Sequence, residues 1–180
     1  MTTPALYLRH AADTDLDLVL AWRAKTAAWI ADVHGSDQWQ VPYPRSVLAE
    51  RLADTYMAML APDAEPVATI TVSEWADPAL WTPDELATSA RYLYKVNVVR
   101  EHAGTGIGRT LIQWGIDRAA RKGADVVRCD VWSTNQTLQE YYKSLGFRYL
   151  RTVPGFNSGA LYECPAATVE NLPIIEISLR

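Results

Sequence analysis

The sequence predicts an α/β protein built from layered strands and helices, and three observations support that fold class. Segments rich in β-forming residues alternate with segments whose apolar residues recur at helical spacing. Glycines at positions 104, 106 and 108 stand where a predicted strand meets a predicted helix. Hydrophobic residues make up 49% of the 180 residues, which is enough to fill the core of a single domain over residues 1–180.

The first part of the chain predicts a strand, two helices and a hairpin. Leu6–Arg9 alternates in polarity and predicts the opening strand. Asp13 is expected to cap the first helix, because acids follow in its first turn and apolar residues lie along one side as far as His34–Asp37. The elements expected next are a helix from about Pro44 to Ala53 and two strands joined as a hairpin, over residues 55–60 and 67–74.

The rest of the chain predicts two strand–helix pairs and two further strands. The β-formers of Tyr92–Val99 lead into the glycines, and apolar residues from Ile107 to Trp114 then recur at helical spacing. Before them, residues 76–90 predict a polar loop with a turn of helix from Asp84. The later predicted elements are a strand over residues 126–131, a helix after Asn135 that ends at Gly146, a strand over 147–153 and a strand from Ile174 to Leu179.

The glycine turn predicts a site for a phosphate or pyrophosphate. Glycine lets the backbone turn tightly and approach a ligand, and the first N–H groups of the following helix point outward as donors. A P-loop would need four residues between its glycines and then Lys, whereas three residues and then Arg109 stand here. A dinucleotide fingerprint would need its third glycine one position later. A turn without a ligand is the simpler alternative, although three glycines in five residues exceed what such a turn requires.

Two motifs within residues 91–153 match the pattern of a known family. The first is Ala103-Gly104-Thr105-Gly106-Ile107-Gly108, and the second is Asn135 followed by a helix that ends Tyr142-Lys143-Ser144-Leu145-Gly146-Phe147. In these motifs the chain resembles the GNAT superfamily of acetyl-CoA-dependent N-acetyltransferases. It departs from the family at Ala103, where Arg or Gln is usual; Arg100, His102 or Arg109 could compensate, and the backbone donors of the turn do not depend on that side chain.

The resemblance implies both a fold and a cofactor. The fold is the GNAT fold, a mixed and mostly antiparallel sheet with helices on both faces. The cofactor is acetyl-CoA, whose pyrophosphate would lie on the glycine turn and whose pantetheine arm would pair with the backbone of residues 96–98. A backbone N–H near Val98 would polarise the thioester carbonyl, while the side chains of Val96 and Val98 are expected in the strand core. The expected cofactor-binding residues are Val96, Asn97, Val98, Ala103, Gly104, Thr105, Gly106, Ile107, Gly108, Arg109 and Asn135.

The resemblance also implies catalytic residues. Tyr142 stands seven residues after Asn135, where many relatives carry a tyrosine that protonates the departing thiolate. Its spacing from Leu138 and Leu145 equally fits a core aromatic on an apolar helix stripe. The general base stays open between Asp130, Glu74 and bulk water, because both carboxylates also fit solvated strand ends or ion-pair partners of Arg128 or Lys95.

Tryptophans outside the cofactor half predict an acceptor site. Trp39, Trp75 and Trp81 lie in segments that would form the acceptor side of this fold, where they would line an aromatic pocket for an amine. Packing within the protein is the alternative role for these three side chains.

Composition and charge exclude several other classes of function. A net charge of −4 argues against a nucleic-acid surface, and the two cysteines form no disulfide framework. No metal site is expected, since the sequence holds no Cys-x-x-Cys pair or histidine cluster. No signal segment or membrane span is evident, so a cytoplasmic protein without a membrane partner is expected.

The sequence is therefore compatible with three functions. The first is an acetyl-CoA-dependent N-acetyltransferase that acts on a primary amine of a small molecule or peptide, with a homodimer left open. The second is a non-catalytic acyl-CoA-binding domain with a regulatory or scaffold role. The third is an enzyme that uses the glycine turn for a different phosphate, such as a nucleotide.

Overall fold

The computed structural model describes residues 5–178, which form eight strands and five α-helices. The strands are β1 (Leu6–His10), β2 (Thr55–Met59), β3 (Ala68–Ser73), β4 (Ala90–Val98), β5 (Val126–Val131), β6 (Arg148–Thr152), β7 (Ala160–Pro165) and β8 (Ile174–Glu176). The helices are α1 (Leu16–His34), α2 (Arg45–Ala49), α3 (Pro83–Ala87), α4 (Ile107–Arg121) and α5 (Gln136–Ser144). Short 3-10 turns lie at Asp13–Asp15, Leu52–Asp54 and Arg100–His102.

The strands form one mixed sheet, hydrogen-bonded in the order β6-β7-β5-β4-β3-β2-β1-β8. The β1–β2, β2–β3, β5–β7 and β6–β7 pairs are antiparallel. The β1–β8 and β4–β5 pairs are parallel. This arrangement confirms the predicted α/β fold class with a mixed sheet.

Backbone contacts divide the described residues into two compact units. The first unit contains the described residues up to Thr71, Lys95–Trp114 and the described residues from Asn171 onward. The second unit contains Val72–Tyr94 and Gly115–Glu170. The single domain expected from the sequence stays a prediction.

The first unit has helical residues on both faces of its strands. Because side chains alternate along a strand, Met57 and Met59 of β2 share one face, where they pack with Trp22 of α1 and Leu48 of α2. On the other face the Tyr56 ring lies 4.7 Å from the Trp114 ring of α4, between ring centroids. The Trp114 indole N–H also donates to Oε1 of Glu176, at 2.9 Å, which fastens β8 to this face.

The second unit is organised around a buried guanidinium. Arg128 of β5 is 3% exposed, and its Nε donates to the Glu163 carboxylate of β7 at 2.8 Å. Its Nη1 donates to the Glu85 carbonyl and to the Tyr92 hydroxyl, at 2.6 and 3.1 Å. Its Cζ lies 5.1 Å from the centroid of the Trp81 ring. The charge is therefore buried with its counter-charge and its hydrogen bonds satisfied, as a buried ion pair requires.

Three sequence predictions about elements were wrong or incomplete, and one further strand was missed. Asp13 does not cap α1; Asp15 instead accepts from the Ala12 N–H at 2.8 Å and binds Arg9 through both carboxylate oxygens, at 2.7 and 2.9 Å. The helix predicted over Pro44–Ala53 ends at Ala49, after only five residues. Strand β7 was not predicted at all. The C-terminal strand forms at Ile174–Glu176, and Leu179 lies outside the described residues.

Among the described residues, no helix is both long enough and apolar enough to cross a membrane.

Candidate functional site

The turn before α4 places glycines where the backbone requires them. Gly104 and Gly106 have φ angles of 76° and 87°, in the left-handed region that strongly favours glycine. The Thr105 hydroxyl donates to the His102 carbonyl at 2.6 Å, and the His102 N–H donates to the Val99 carbonyl at 2.9 Å. The turn is thus shaped by its own hydrogen bonds.

The N-terminus of α4 is open to a ligand. The Thr110 N–H makes the first intrahelical bond, to the Gly106 carbonyl at 3.0 Å. The N–H groups of residues 107–109 precede any intrahelical acceptor, so they are available as donors. The preceding residues 103–105 are exposed. This arrangement fits a phosphate group, because the donors and the positive end of the helix dipole coincide.

Ala103 and the two arginines near the turn differ in their surroundings. Ala103, where the family carries Arg or Gln, is exposed. Arg100 stacks on Trp29, with its Cζ 3.6 Å from the ring centroid. Stacking uses the face of a guanidinium and leaves the N–H donors in its plane available. Arg109 is exposed in the first turn of α4.

The end of β4 differs from the expected strand core. Val96 and Val98 are half-buried, whereas the polar Asn97 is only 8% exposed and accepts from the Thr26 hydroxyl of α1 at 3.2 Å. The expectation of core side chains at both valines was therefore wrong. Lys95, with a φ of 52°, interrupts the regular strand conformation just before this segment.

Strands β4 and β5 pair over only part of their lengths. Within the described residues the ladder joins Ala90–Tyr92 to Val126–Arg128, while β4 continues to Val98 and β5 to Val131. The backbone of β4 beyond Tyr92 is therefore not used in the ladder with β5. A strand can pair its backbone with an amide-bearing ligand only if some of its N–H and C=O groups are not already bonded to the neighbouring strand.

Tyr142 lies buried on α5, only 8% exposed. The rings of Phe147 and Tyr141 lie 5.4 and 6.1 Å from its own, between centroids. Burial raises the pKa of the Tyr142 hydroxyl well above its usual value, and Cys129, Tyr141 and Asp130 raise it further. The phenol therefore keeps its proton at neutral pH, as a proton donor must, and as a core tyrosine also does. Its catalytic role stays a prediction.

The two candidate bases have different surroundings within the second unit. Asp130 is half-buried near the end of β5, and its charge contributes to the raised pKa of both Tyr142 and Cys129. Glu74 has a side chain that is 78% exposed, with Oε1 2.6 Å from the Arg91 guanidinium. Asp130 is thus the more buried of the two carboxylates, and its charge contributes to the raised pKa of Tyr142.

Asn135, which precedes the predicted helix, caps α5. Its side-chain oxygen accepts from the Leu138 N–H at 2.9 Å. The contact with a pantetheine arm stays a prediction.

The three candidate acceptor tryptophans differ in exposure. Trp75 is 46% exposed, and its ring lies 6.3 Å from that of Tyr94, between centroids. Trp39 is half-buried, and the Cζ atom of Arg23 lies 5.4 Å from its ring centroid. Trp81 is 2% exposed within a core cluster, which favours packing. Contact of any of these rings with an acceptor stays a prediction.

Sequence reasoning missed two cations of the first unit, Arg23 and Lys95. Their side chains lie 5.3 and 4.7 Å from the Tyr43 ring, measured from Cζ and Nζ to its centroid. An arginine on a helix and a lysine on a strand carry no local signal that would relate them to one aromatic ring.

Residues 20–147 match the profile of the Acetyltransferase (GNAT) family. The chain belongs to that family, as its two motifs predicted.

Among the described residues, no group of three or more His, Cys, Asp or Glu side chains is placed to hold a metal ion.

Individual proteins resemble the chain over most of its length. A relative from Bacillus subtilis (strain 168), the uncharacterized N-acetyltransferase YesJ, is 25% identical over 154 residues, covering 82% of this chain and 81% of that protein. A GNAT-family acetyltransferase from Listeria monocytogenes 4b F2365 has a TM-score of 0.74 at 21% identity, covering 89% of this chain and 94% of its own. The PaiA N-acetyltransferase of Thermoplasma acidophilum, solved in complex with coenzyme A, has a TM-score of 0.66 at 16% identity, covering 92% and 99%.

Proposed function

We propose that this protein is an acetyl-CoA-dependent N-acetyltransferase, which transfers an acetyl group to a primary amine of a small molecule or peptide by direct attack in a ternary complex. One observation carries the proposal: the open N-terminus of α4, preceded by Gly104 and Gly106 in the left-handed conformation. Family membership supports it, as does the coenzyme A bound to the Thermoplasma relative.

The residues of the first unit would hold the cofactor, which supplies an activated acetyl thioester when bound. Backbone N–H groups from about Gly104 to Arg109 would hold the pyrophosphate, with Ala103 leaving room beside them. The backbone of Val96–Val98 would bind the pantetheine arm, and an N–H near Val98 would polarise the thioester carbonyl. Asn97 would position this segment through its bond with Thr26, at 3.2 Å.

Residues of the second unit would move the protons. Tyr142 would hold a proton on its hydroxyl for the leaving thiolate, and its raised pKa keeps that proton in place at neutral pH. Asn135 would fix the start of the helix that carries Tyr142, through its cap on Leu138.

Asp130 is the better-supported candidate for the general base. An alkylammonium must lose its proton before it can attack, and a carboxylate near the acid is one route for that proton. Asp130 is half-buried and its charge contributes to the raised pKa of Tyr142, whereas the Glu74 side chain is 78% exposed. For the acceptor itself, the exposed ring of Trp75 and the half-buried ring of Trp39 offer aromatic surfaces that suit an ammonium group.

Binding and turnover together test the proposal. Calorimetry with acetyl-CoA, CoA, NAD and ATP should show binding of the two CoA species only. Thiol release with acetyl-CoA and a panel of primary amines should then show turnover that depends on the amine. Binding of NAD or ATP in place of CoA, or CoA binding with no turnover across the panel, would contradict it.

A further inference from the structure

A cluster of two cations and two aromatic rings lies in the first unit, and none of its members is among the residues proposed to hold CoA. Its members are Arg23 of α1, Trp39 and Tyr43 in the segment that follows, and Lys95 of β4; we call it the Arg23 cluster. The Arg23 guanidinium lies 5.4 Å from the Trp39 ring and 5.3 Å from the Tyr43 ring, measured from Cζ to the centroids. The Lys95 ammonium lies 4.7 Å from the same Tyr43 ring.

Among its contacts with residues 5–178, Arg23 uses only one side of its guanidinium. Its Nη1 donates to the carbonyl oxygens of Trp39 and Val41, at 3.2 and 2.9 Å. A guanidinium carries five N–H donors, so these bonds account for the two on Nη1. For the other three, on Nε and Nη2, residues 5–178 supply no hydrogen-bond acceptor. Two of these donors, one on Nε and one on Nη2, form an edge that matches the two oxygens of a carboxylate.

The charge of Arg23 also lacks a carboxylate partner in the part of the chain that the structure describes. Burial lowers the pKa of Arg23, and the Tyr43 side chain alone opposes that effect. Arg9 and Arg128 are also shielded from solvent, but they differ from Arg23 because each binds a carboxylate. A partly desolvated cation of this kind is stabilised when an anionic ligand supplies the missing charge.

The backbone of the cluster is strained at two positions. Trp39 and Lys95 have φ angles of 63° and 52°, in a region that is costly for residues with a side chain. Such strain persists where the surrounding structure enforces it and is concentrated at ligand sites. Lys95 also directly precedes Val96–Val98, the segment proposed to bind the thioester arm, so the cluster adjoins the proposed cofactor strand within the same unit.

We propose that the Arg23 cluster binds a carboxylate carried by the acceptor, so that the substrate is a small amine that also bears a carboxylate group. The Nε–Nη2 edge of Arg23 would pair with the two carboxylate oxygens, and Lys95 would add a second positive charge. The rings of Trp39 and Tyr43 would pack against the apolar body of the substrate. This inference rests on the proposed function for the amine chemistry, but its binding test is independent of turnover.

The binding test uses a carboxylate that cannot react. 3-Phenylpropionate and its neutral analogue 3-phenylpropanamide should be titrated into the protein, with binding followed by NMR. We expect the carboxylate to bind at least about tenfold more tightly than the amide, since a charge-assisted bidentate pair is lost in the amide. Arg23→Gln should abolish the difference. Arg45→Gln, which removes an exposed arginine of the same unit, should leave it intact.

A second variant covers the case in which Arg23→Gln does not fold. Arg23 also holds the Trp39–Val41 segment through its hydrogen bonds, so the folding of Arg23→Gln is checked by thermal melting. Arg23→Lys is the alternative, because it retains the positive charge but lacks the paired N–H donors of the guanidinium. Arg23→Lys should bind the carboxylate more weakly than the wild type. Equal affinity of the wild type for carboxylate and amide would overturn the proposal, as would an undiminished preference in either folded Arg23 variant.

Turnover separates this inference from the proposed function. With acetyl-CoA present, phenylalanine should show a KM at least about tenfold lower than phenylalaninamide, and Arg23→Gln should remove that difference. Turnover of both amines without any preference would contradict the carboxylate site while leaving the acetyltransferase intact. Absence of turnover with every amine, together with a retained carboxylate preference in binding, would contradict the acetyltransferase alone.

Discussion

The Arg151 guanidinium donates to both oxygens of the Glu85 carboxylate, at 2.6 and 2.8 Å, and so ties α3 to β6 within the second unit. The same carboxylate accepts from the Thr82 N–H at 2.8 Å and caps its own helix. These contacts, of which the Arg151 hydrogen bonds have the largest effect, hold the pKa of Glu85 at about 2. One side chain thus stabilises both the start of a helix and its attachment to the sheet.

Glu85→Gln should cost stability only where the wild-type carboxylate is ionised. The folded-state pKa is lowered from 4.5 to about 2, so the contribution is present above pH 4.5 and is lost as the pH falls toward 2. Because the pair is partly solvated, we expect about 1 kcal/mol, or roughly 2–4 °C in Tm at pH 7. Melting curves from pH 7 to pH 2 check this, with Asp17→Asn in an exposed pair as the control. A difference that stays constant down to pH 2 would contradict the assignment.

Tyr142→Phe should lower turnover roughly 10²- to 10⁴-fold while acetyl-CoA affinity hardly changes, because the ring stays and only the proton donor is lost. Steady-state kinetics and calorimetry on the same variant measure the two quantities. Tyr141→Phe is the matched control, since adjacent helix residues point about 100° apart. A slow Tyr141 variant beside a normal Tyr142 variant would reverse the assignment. Normal rates in both would show that another group supplies the proton.

Gly106→Asp should abolish acetyl-CoA binding. The substitution places a Cβ and a negative charge at a residue with φ 87°, beside the N–H donors proposed for the pyrophosphate. The wild type should gain about 2.7 kcal/mol of stability at a hundredfold excess of acetyl-CoA over its Kd, and the variant none. Gly155→Asp controls for backbone strain and charge, since Gly155 has φ 83° and lies in an exposed turn. Normal cofactor binding by a folded Gly106 variant would mean that the cradle is misassigned.

Ala103→Arg should tighten acetyl-CoA binding by about 1 kcal/mol, because it restores a charge-assisted contact at an exposed position. Calorimetry at two salt concentrations measures the gain and its electrostatic part. Unchanged affinity would indicate that Arg100 or Arg109 already supplies that contact, and the double variants with Ala at either position would identify which.

Asp130→Asn should reduce turnover at neutral pH more strongly than Glu74→Gln. Both changes remove one carboxylate of similar size, but only Asp130 acts electrostatically on Tyr142. If Asp130 accepts the proton of the amine, its variant should recover part of its rate as the pH rises and the amine deprotonates in solution. A larger loss in the Glu74 variant would exchange the two roles, and equal small losses would favour bulk water.

The central part of the fold could be predicted because its signals are local. Glycines at 104 and 106 specify a left-handed turn, and Asn135 specifies a helix cap, whatever the rest of the chain does. The missed strand β7 lacks such a signal, since Glu163 interrupts its apolar run. That carboxylate is buried only because Arg128 and Arg148 bind it, at 2.8 and 2.7 Å, from other strands.

The same distinction separates the predicted and the missed parts of the candidate site. The cap expected at Asp13 does not form; the carboxylate that stabilises this turn belongs to Asp15, which accepts from the Ala12 N–H and binds Arg9 of β1. Arg23 and Lys95 come together only through the ring of Tyr43, which no spacing along the chain reveals. Backbone chemistry was therefore readable from the sequence, and side-chain partnerships across elements were not.

The parallel pairing of β1 with β8 sets the order in which the first unit can be completed during synthesis. Leu6 is in register with Ile174, so the β1 edge has no β8 partner until residues 174–176 have been synthesised. Until then its backbone N–H and C=O groups on that side would face solvent, and such an open edge invites pairing with other chains. A truncated chain that lacks residues 174–176 would therefore carry an unprotected strand edge and be prone to aggregate.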